Sequence, residues 1–304
     1  MEDLWWEQYY EKKEEKIPTY KYDLHCHVHE GTPDSNVYIK QYIDTLIEKG
    51  FLGMLITDRN TYEGYRQYIK FSKDKIPENV EFYVLKGIEY DTADAGHMLV
   101  IMPSAKEYSA LENRGMKLED LISFVHGHDG ILGPAHGFGD AFFSIYSTGR
   151  YKYDKGVTFD FDFLEGYNST QDDEDNLKCR QLAARFDKPI IGGSDSHSLD
   201  SVGMAHTSFE TIIKSEDDLI DYIKSKKRTT VFGKRYTEAT RDKLKGANKL
   251  LGYAFYPINK VGSFINKRKR NINIALADLN PKSSESKDVS QQSDSNETSA
   301  ENQS

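Results

Sequence analysis

The sequence predicts an α/β protein built around a parallel sheet, and a closed barrel is the form that we expect this sheet to take. Short apolar segments of strand length alternate along the chain with segments of helical spacing, and this alternation is typical of parallel sheets covered by helices. Histidine and acidic residues recur beside the apolar segments. In a parallel barrel, reactive side chains stand at the carboxyl ends of the strands, so the two observations predict the same architecture.

The predicted elements follow one another from residue 20 to about residue 252. The helix at 36–50 shows the basis of the assignments, because Tyr42, Ile43 and Leu46 fall on one face and Gly50 provides a stop. Residues 137–160 are rich in Gly, Phe, Tyr and Asp and are predicted to form a long irregular loop that serves the site. The predicted strands lie at 22–29, 51–57, 81–88, 97–102, 130–134, 161–167 and 188–193, and the predicted helices at 36–50, 61–73, 118–128, 172–186, 215–226 and 237–252.

The domain organisation follows from length and from changes in composition. A chain of 304 residues suits one large domain with appendages. Residues 1–19 are predicted to form a helical extension, and residues 20–252 form the predicted barrel domain. An apolar and basic segment follows at 253–273. Residues 274–304 are predicted to be a disordered tail, because Ser, Asn, Gln, Asp and Glu dominate the sequence beyond Asn280.

Composition limits the classes of partner and location. The net charge of -9 argues against nucleic acid as the main partner, although it leaves room for a small nucleotide. The two cysteines, Cys26 and Cys179, do not suggest a disulfide framework. We find no apolar run of about 20 residues, so no transmembrane helix is expected. The N-terminus lacks a signal-peptide pattern, and the expected location is the cytoplasm.

The segment 253–273 ends in the basic run Lys267–Arg270. One interpretation is a surface helix that makes a weak contact with a membrane or an acidic partner. The other is an apolar face packed on the barrel with a solvated basic end.

A pair of histidines ends the first predicted strand. His25 and His27 are two residues apart, so their rings point to the same side of an extended chain. Two imidazoles on one face provide half of a metal site. Further candidates lie beside later apolar segments, namely Glu89, His97, His136, Asp195 and His197.

This ordered set of residues resembles the PHP family (polymerase and histidinol phosphatase domain). His25 and His27 follow Asp-Leu, Glu89 follows Gly-Ile, and His136 follows Ala, while Asp195-Ser-His197 closes the series. The resemblance covers roughly residues 20–250. It implies a distorted (β/α)7 TIM-like barrel, a site for two or three metal ions, and hydrolysis of phosphate esters.

The resemblance also implies the metal ligands. His25, His27, Glu89 and Asp195 correspond to the ligands of one ion. Glu89, His97 and His136 correspond to the ligands of a second ion, with Glu89 bridging the two. A mixture of imidazole nitrogen and carboxylate oxygen suits Zn²⁺, Mn²⁺ or Fe²⁺ and does not choose among them.

The main departure from the family pattern is at Arg59; a second is Gly137, where the family commonly has Pro after Ala-His. Thr57-Asp58-Arg59-Asn60 stands where the family usually has Thr-Asp-His-Asn, and that histidine belongs to a third metal site with His197 and an acidic residue such as Asp34. A protonated guanidinium cannot ligate a cation. We therefore expect two ions, with Asp34 and His197 as the remnant of the third site, and Arg59 as a ligand of the substrate phosphate in its place. The other interpretation is that Arg59 pairs with Asp58, Asp34 or Glu63 and only fills the space.

The function implied is that of a metal-dependent phosphoesterase acting on a small phosphate monoester or a nucleotide-like phosphodiester. A hydroxide held between the two ions attacks phosphorus. Asp195 accepts the proton of the water, and His197 binds a phosphate oxygen or protonates the leaving group.

Two alternatives remain open. One is a degenerate PHP module that binds without catalysis, which Arg59 favours. The other is hydrolysis of a non-phosphate substrate, which a lysine at a strand end would favour; Lys86 is the nearby candidate, and its spacing from Glu89 turns it away from the site.

Overall fold

The computed structural model describes residues 19–71 and 73–236. The predicted extension up to residue 18, the helix at 237–252, the segment 253–273 with Lys267–Arg270, and the tail at 274–304 lie outside the described residues. The strands are β1 (Tyr20–Cys26), β2 (Gly53–Ile56), β3 (Tyr83–Lys86), β4 (Ile88–Asp91), β5 (His97–Ile101), β6 (Ile131–Pro134), β7 (Leu164–Asn168), β8 (Ile190–Gly193), β9 (Ala205–Phe209) and β10 (Thr230–Gly233), and the α-helices are α1 (Ile39–Glu48), α2 (Glu63–Phe71), α3 (Leu118–Gly127), α4 (Asp173–Arg185) and α5 (Glu216–Lys224).

The strands of the described chain form three sheets. The first has the order β10-β9-β1-β2-β3, the second β4-β5-β6, and the third β7-β8. The predicted α/β class is confirmed. The expectation of a uniformly parallel sheet is wrong, because β4, β5 and β6 pair antiparallel and so do β1, β9 and β10. Neither β9 nor β10 was predicted.

Isolated bridges and a few hydrogen bonds join the three sheets. A bridge pairs Cys26 at the end of β1 with Ser196 after β8, and another pairs Arg59 after β2 with Glu89 in β4. The amide of Asp162, just before β7, donates to the carbonyl of Leu132 in β6 at 2.9 Å. Among the described residues, continuous strand pairing occurs within each sheet but not between the sheets. The closed barrel therefore stays a prediction.

The segment predicted as one strand at 81–88 is divided at Gly87. β3 pairs in parallel with β2, whereas β4 turns away and pairs with β5. A side chain at Gly87 would place its Cβ 3.1 Å from the carbonyl of Val100, so the strands cross where a larger residue would be crowded. Glu89 therefore lies inside an antiparallel strand, opposite Leu99, and not at the end of a parallel one.

Helix α1 packs on the outer face of β1 and β2. Its buried residues Tyr42, Ile43 and Leu46 contact a cluster that includes Cys26 and Met54. This apolar stripe is what the sequence predicted for the helix, although α1 begins three residues later than expected. None of the described helices is long and apolar enough to span a membrane.

A buried acid ties β1 to β8 and α1. Asp23 is fully buried and accepts hydrogen bonds from the amide of Ser194 at 2.8 Å and from the hydroxyl of Tyr42 at 3.1 Å. Burial raises the pKa of Asp23, which these hydrogen bonds oppose. The ladder of β1 shifts its register between Asp23 and Cys26. A register shift of this kind changes the direction in which side chains point near functional sites. His25 lies within the shifted segment.

The close approach of β8 to β1 yields a stability prediction. A Cβ at Gly193 would lie 2.2 Å from the backbone nitrogen of His25 and 2.4 Å from its Cβ. We expect Gly193→Ala to lower the free energy of unfolding in urea by about 1–3 kcal/mol, the usual cost of overpacking. Gly127→Ala is the control, because nothing lies within 4 Å of the added Cβ. Equal stability of the two variants would contradict the expectation.

Candidate metal centre

The histidine pair of β1 lies where the sequence predicted it. His25 and His27 are both fully buried, and their ring centroids are 5.1 Å apart. Cys26 between them points away, into the cluster under α1. The Nε2 atoms of both histidines are buried without a hydrogen-bond partner. A buried ring nitrogen without a partner is costly in a protein interior, and a metal ion would satisfy it.

Glu89 lies at the middle of the cluster. Its Oε1 atom is 2.8 Å from Nδ1 of His97 and 3.0 Å from Nε2 of His136. Its Oε2 atom is 3.4 Å from Nε2 of His27. One carboxylate thus faces histidines from three separate parts of the chain, which is the position that the sequence predicted for a bridging residue.

Asp195 approaches the same histidines from the end of β8. Its Oδ1 atom is 3.1 Å from Nε2 of His27 and 3.7 Å from Nε2 of His25. The ring of His197 donates through Nδ1 to the backbone carbonyl of Asp195 at 3.1 Å. The turn after β8 therefore supplies both of the residues that the sequence singled out there.

Two of the candidate ligands have an unusual backbone. His136 has a φ of 35° and Asp195 a φ of 47°. Residues other than glycine rarely occupy this left-handed region, and such strain clusters at functional sites. Both residues follow directly on the strand-end segments that bring them to the cluster.

The structure brings the six predicted ligands and His197 together. In each of three groups, the ligand atoms lie within 4.8 Å of one another, as a metal ion would require. The side-chain chemistry, imidazole and carboxylate, fits a divalent transition metal. The groups are His25, His27 and Glu89; His27, Asp195 and His197; and Glu89, His97 and His136.

Opposite charges control the pKa values of this cluster. Burial alone would raise the pKa of Glu89, but His97 and His136 hold it well below its usual value. Asp195 behaves in the same way, because His25 and His27 oppose the effect of burial. Both carboxylates are therefore charged and ready to ligate a cation.

Arg59 occupies the region of the predicted third metal site. Its Nη1 atom is 2.7 Å from Oδ2 of Asp34, its Nε atom 3.2 Å from Oε2 of Glu89, and its Nη2 atom 3.0 Å from Nε2 of His197. The guanidinium thus contacts both residues of the expected remnant, Asp34 and His197. Although burial would raise the pKa of Asp34, Arg59 lowers it.

The long loop at 137–160 contacts the cluster, as predicted. The carbonyl of Phe143 accepts from the amide of His97 at 2.8 Å, and the hydroxyl of Ser144 is 3.2 Å from Nδ1 of His136. The ring of Phe143 is 46% exposed and lies 5.2 Å from the His97 ring. The loop therefore supports two candidate ligands and presents an apolar surface beside them.

Sequence reasoning missed a layer of polar residues behind the ligands. Glu165 in β7 is 1% exposed and lies 2.8 Å from Nδ1 of His25. Asn168 donates to Oδ2 of Asp195 at 3.2 Å. The available signal was an acidic residue inside the apolar segment Phe163-Leu164-Glu165, since a buried charge is costly unless it is paired.

Comparisons with known proteins agree with this architecture. No curated protein matches the sequence. The fold is similar to that of PsfC from Pseudomonas syringae PB-5123, with a TM-score of 0.52, 16% identity, and coverage of 83% of this chain and 98% of that chain. It is also similar to the lesion-specific endonuclease PfuEndoQ from Pyrococcus furiosus, with a TM-score of 0.54, 21% identity, and coverage of 70% of this chain and 57% of that chain.

A family model matches one part of the chain. Residues 173–227, which run from α4 to just beyond α5 and include Asp195 and His197, match the family described as PHP-associated. Structural similarity below 25% identity establishes a shared fold, whereas the family match concerns the sequence itself. The family match bears out the resemblance to the PHP family over residues 173–227, and the two solved structures show a shared fold alone.

Proposed function

We propose that this chain is a metal-dependent phosphoesterase that hydrolyses a small phosphate monoester or a nucleotide-like phosphodiester. The observation that supports this most directly is the convergence of three groups of histidine and acidic ligands on one buried point. The Nε2 atoms of His25 and His27 strengthen it, because they form no hydrogen bond although carboxylate oxygens lie 3.1–3.7 Å away, and a cation between them would satisfy both the ring nitrogens and the carboxylates. These atoms favour a site that holds metal over a module that has lost its metal.

Two ions would use six of the seven side chains in the three ligand groups, all but His197. His25, His27, Glu89 and Asp195 would hold one, and Glu89, His97 and His136 would hold the other. Bound divalent cations neutralise charge on phosphate oxygens and lower the pKa of water. Zn²⁺, Mn²⁺ and Fe²⁺ all suit these ligands.

The protein's own side chains carry the remaining steps. Arg59 binds a non-bridging phosphate oxygen through its planar set of N–H donors. Asp195 accepts the proton of the attacking water, since its low pKa leaves it ionised before the reaction. His197 accepts a hydrogen bond from Arg59 through Nε2 at 3.0 Å, so it would first have to gain a proton there and release this contact; it would then bind a second phosphate oxygen or protonate the leaving group.

The finer architecture belongs to the same proposal. Strands β1 to β8, with β3 and β4 counted as the one strand predicted at 81–88, would close into a distorted (β/α)7 TIM-like barrel, and the bridges between the sheets would be its seams. Residues 20–252 would form this domain, and the protein would act in the cytoplasm. The carboxyl ends of the parallel strands, together with the amino end of the antiparallel β5 where His97 lies, would then surround the cluster.

Lys86 bears on the alternative of a non-phosphate substrate. Its Nζ atom donates to the carbonyl of Ser104 at 2.6 Å and lies 3.6 Å from Glu216, so it faces away from the cluster as predicted. No carboxylated lysine between the ions is available from this position. This favours phosphate ester hydrolysis over hydrolysis of C–N or C–O bonds.

A single combined experiment tests the proposed function. Purified protein is analysed for metals and then assayed for phosphate release from monoesters and nucleotides, with a DNA oligonucleotide and an amide substrate in the same panel. We expect turnover of a small phosphate ester that chelation abolishes and that added metal restores. Metal binding without turnover of any phosphate ester would favour the degenerate module, and turnover of the amide alone would favour the second alternative.

The first prediction concerns metal content. Because Glu89 faces both ligand groups, we expect about two ions per chain in the wild-type protein and a loss of both metal and activity in Glu89→Gln. Elemental analysis after dialysis measures the stoichiometry. Glu63→Gln is the control, since Glu63 lies on α2 and contacts Arg66 instead of the cluster. A third ion in the wild type would contradict the interpretation of Arg59.

The second prediction concerns Arg59. We expect Arg59→Ala to reduce kcat/KM for the phosphate ester by about 5- to 150-fold, which corresponds to about 1–3 kcal/mol for charge-assisted hydrogen bonds, with metal content unchanged. Arg66→Ala is the control, because Arg66 also pairs with carboxylates, Glu107 and Glu112, but away from the cluster.

Arg59→His extends the same test. A histidine beside Asp34 and His197 supplies the missing ligand of the third site, so we expect one additional ion per chain by elemental analysis. Wild-type kinetics in Arg59→Ala with full metal content would remove Arg59 from the mechanism.

A further inference from the structure

Glu165 is a buried acid to which the proposed chemistry assigns no role. It lies on β7, with 1% of its surface exposed. Its Oε1 atom is 2.8 Å from Nδ1 of His25. Its Oε2 atom accepts from the backbone amide of His136 and from the side-chain amide of Asn168, the latter at 3.1 Å. One carboxylate therefore receives three donors in the interior of the protein.

The contact with His25 determines which ring nitrogen faces the cluster. A carboxylate only accepts hydrogen bonds, so Nδ1 of His25 carries a proton towards Glu165. The lone pair of Nε2 is then directed at the ligand group, where this atom has no hydrogen-bond partner and lies 3.6 Å from Oε1 of Glu89. A carboxylate behind a metal-binding histidine fixes the ring in this manner and raises its basicity.

The second oxygen of the Glu165 carboxylate contacts the ligand group of Glu89, His97 and His136 through the backbone of His136. His136 adopts a left-handed backbone with a φ of 35°, and its amide donates to Glu165. Asn168 continues the connection, because its amide also donates to Oδ2 of Asp195 at 3.2 Å. Glu165 thus contacts one ligand of each proposed ion and reaches a third through one residue.

We propose that Glu165 is a positioning residue that sets the tautomer of His25 and the backbone of His136, and thereby couples the occupancy of the two metal sites. The inference rests on the proposed function only in that the clusters bind metal. It does not depend on which ester the protein hydrolyses.

Glutamine cannot replace Glu165 in this arrangement. An amide has one acceptor oxygen and one donor group. If its oxygen accepts from His136 and Asn168, its NH₂ group points at Nδ1 of His25 and forces the ring proton onto Nε2, towards the metal. If the amide is reversed, its NH₂ group meets two donors. Either orientation disturbs one of the two ligand groups.

Asp162 provides a matched control on the same segment of chain. Its Oδ2 atom accepts from the backbone amide of Leu132 at 2.9 Å and lies 3.0 Å from Nε2 of His126. Like Glu165, it joins a histidine ring and a backbone amide, but neither partner is a candidate ligand. Asp162→Asn therefore makes the same chemical change without touching the metal centre.

The experiment measures metal affinity and the histidine tautomer directly. Metal-free wild type, Glu165→Gln and Asp162→Asn are titrated with Mn²⁺ by calorimetry. Zn²⁺-loaded samples labelled with ¹⁵N-histidine are then compared by NMR for the Nδ1–H signal of His25. We expect Glu165→Gln to bind Mn²⁺ about 10- to 100-fold more weakly, with loss at both sites, and to lack the Nδ1–H signal. Asp162→Asn should match the wild type in both measurements.

Two outcomes would overturn the proposal. One is a Glu165→Gln protein that unfolds at a lower temperature but binds Mn²⁺ with wild-type affinity, which would make Glu165 a packing residue. The other needs no variant, so it holds even where Glu165→Gln fails to fold: a Zn²⁺-loaded wild type whose His25 carries its proton on Nε2. Neither outcome depends on phosphate release, so failure of this proposal is distinguishable from failure of the proposed function.

Discussion

The carboxylate of Glu89 is buried to 1% exposure among four imidazoles and one guanidinium, and this concentration of charge is the constraint on the rest of the site. His97, His136 and Arg59 lie within 3.2 Å of its oxygens, and His25 and His27 within 3.6 Å. Burying so many ionisable groups is costly unless each finds an opposite charge or a metal. The surrounding fold therefore has to hold them at fixed distances.

The antiparallel hairpin of β4 and β5 meets this requirement for Glu89 and His97. Asp91 pairs with His97 across the hairpin, and Glu89 pairs with Leu99, so the acid and the histidine lie two residues apart along adjacent strands. Residues at this separation reach each other diagonally on one face. A purely parallel strand ending at Glu89 could not supply both residues from one local turn. The break at Gly87 is thus the structural cause of the central contact.

Much of this site could be predicted from the sequence, and the omissions have physical causes. His25, His27, His136 and Asp195 follow apolar segments, so strand ends located them correctly. The hairpin at Glu89 was not predictable, because periodicity does not reveal strand direction or a one-residue break. The role of Glu165 was not predicted for a different reason. Glu165 lies within an apolar strand, and its role depends on which distant side chains face it. Only the fold determines which side chains these are.

The two histidines of one short motif show how far such distant contacts control chemistry. Burial lowers the pKa of His27 to about 3; Asp195 and Glu89 oppose this effect, whereas the charges of His197 and Arg59 add to it. Burial acts on His25 in the same direction, yet the charges of Glu165 and Asp195 raise its pKa well above the usual value. The sequence spacing gives both rings the same direction, but it does not give them the same electrostatic environment. Glu165, 140 residues away in β7, makes the largest of the contributions that raise the pKa of His25, so two histidines that the motif presents as equivalent lie in different environments.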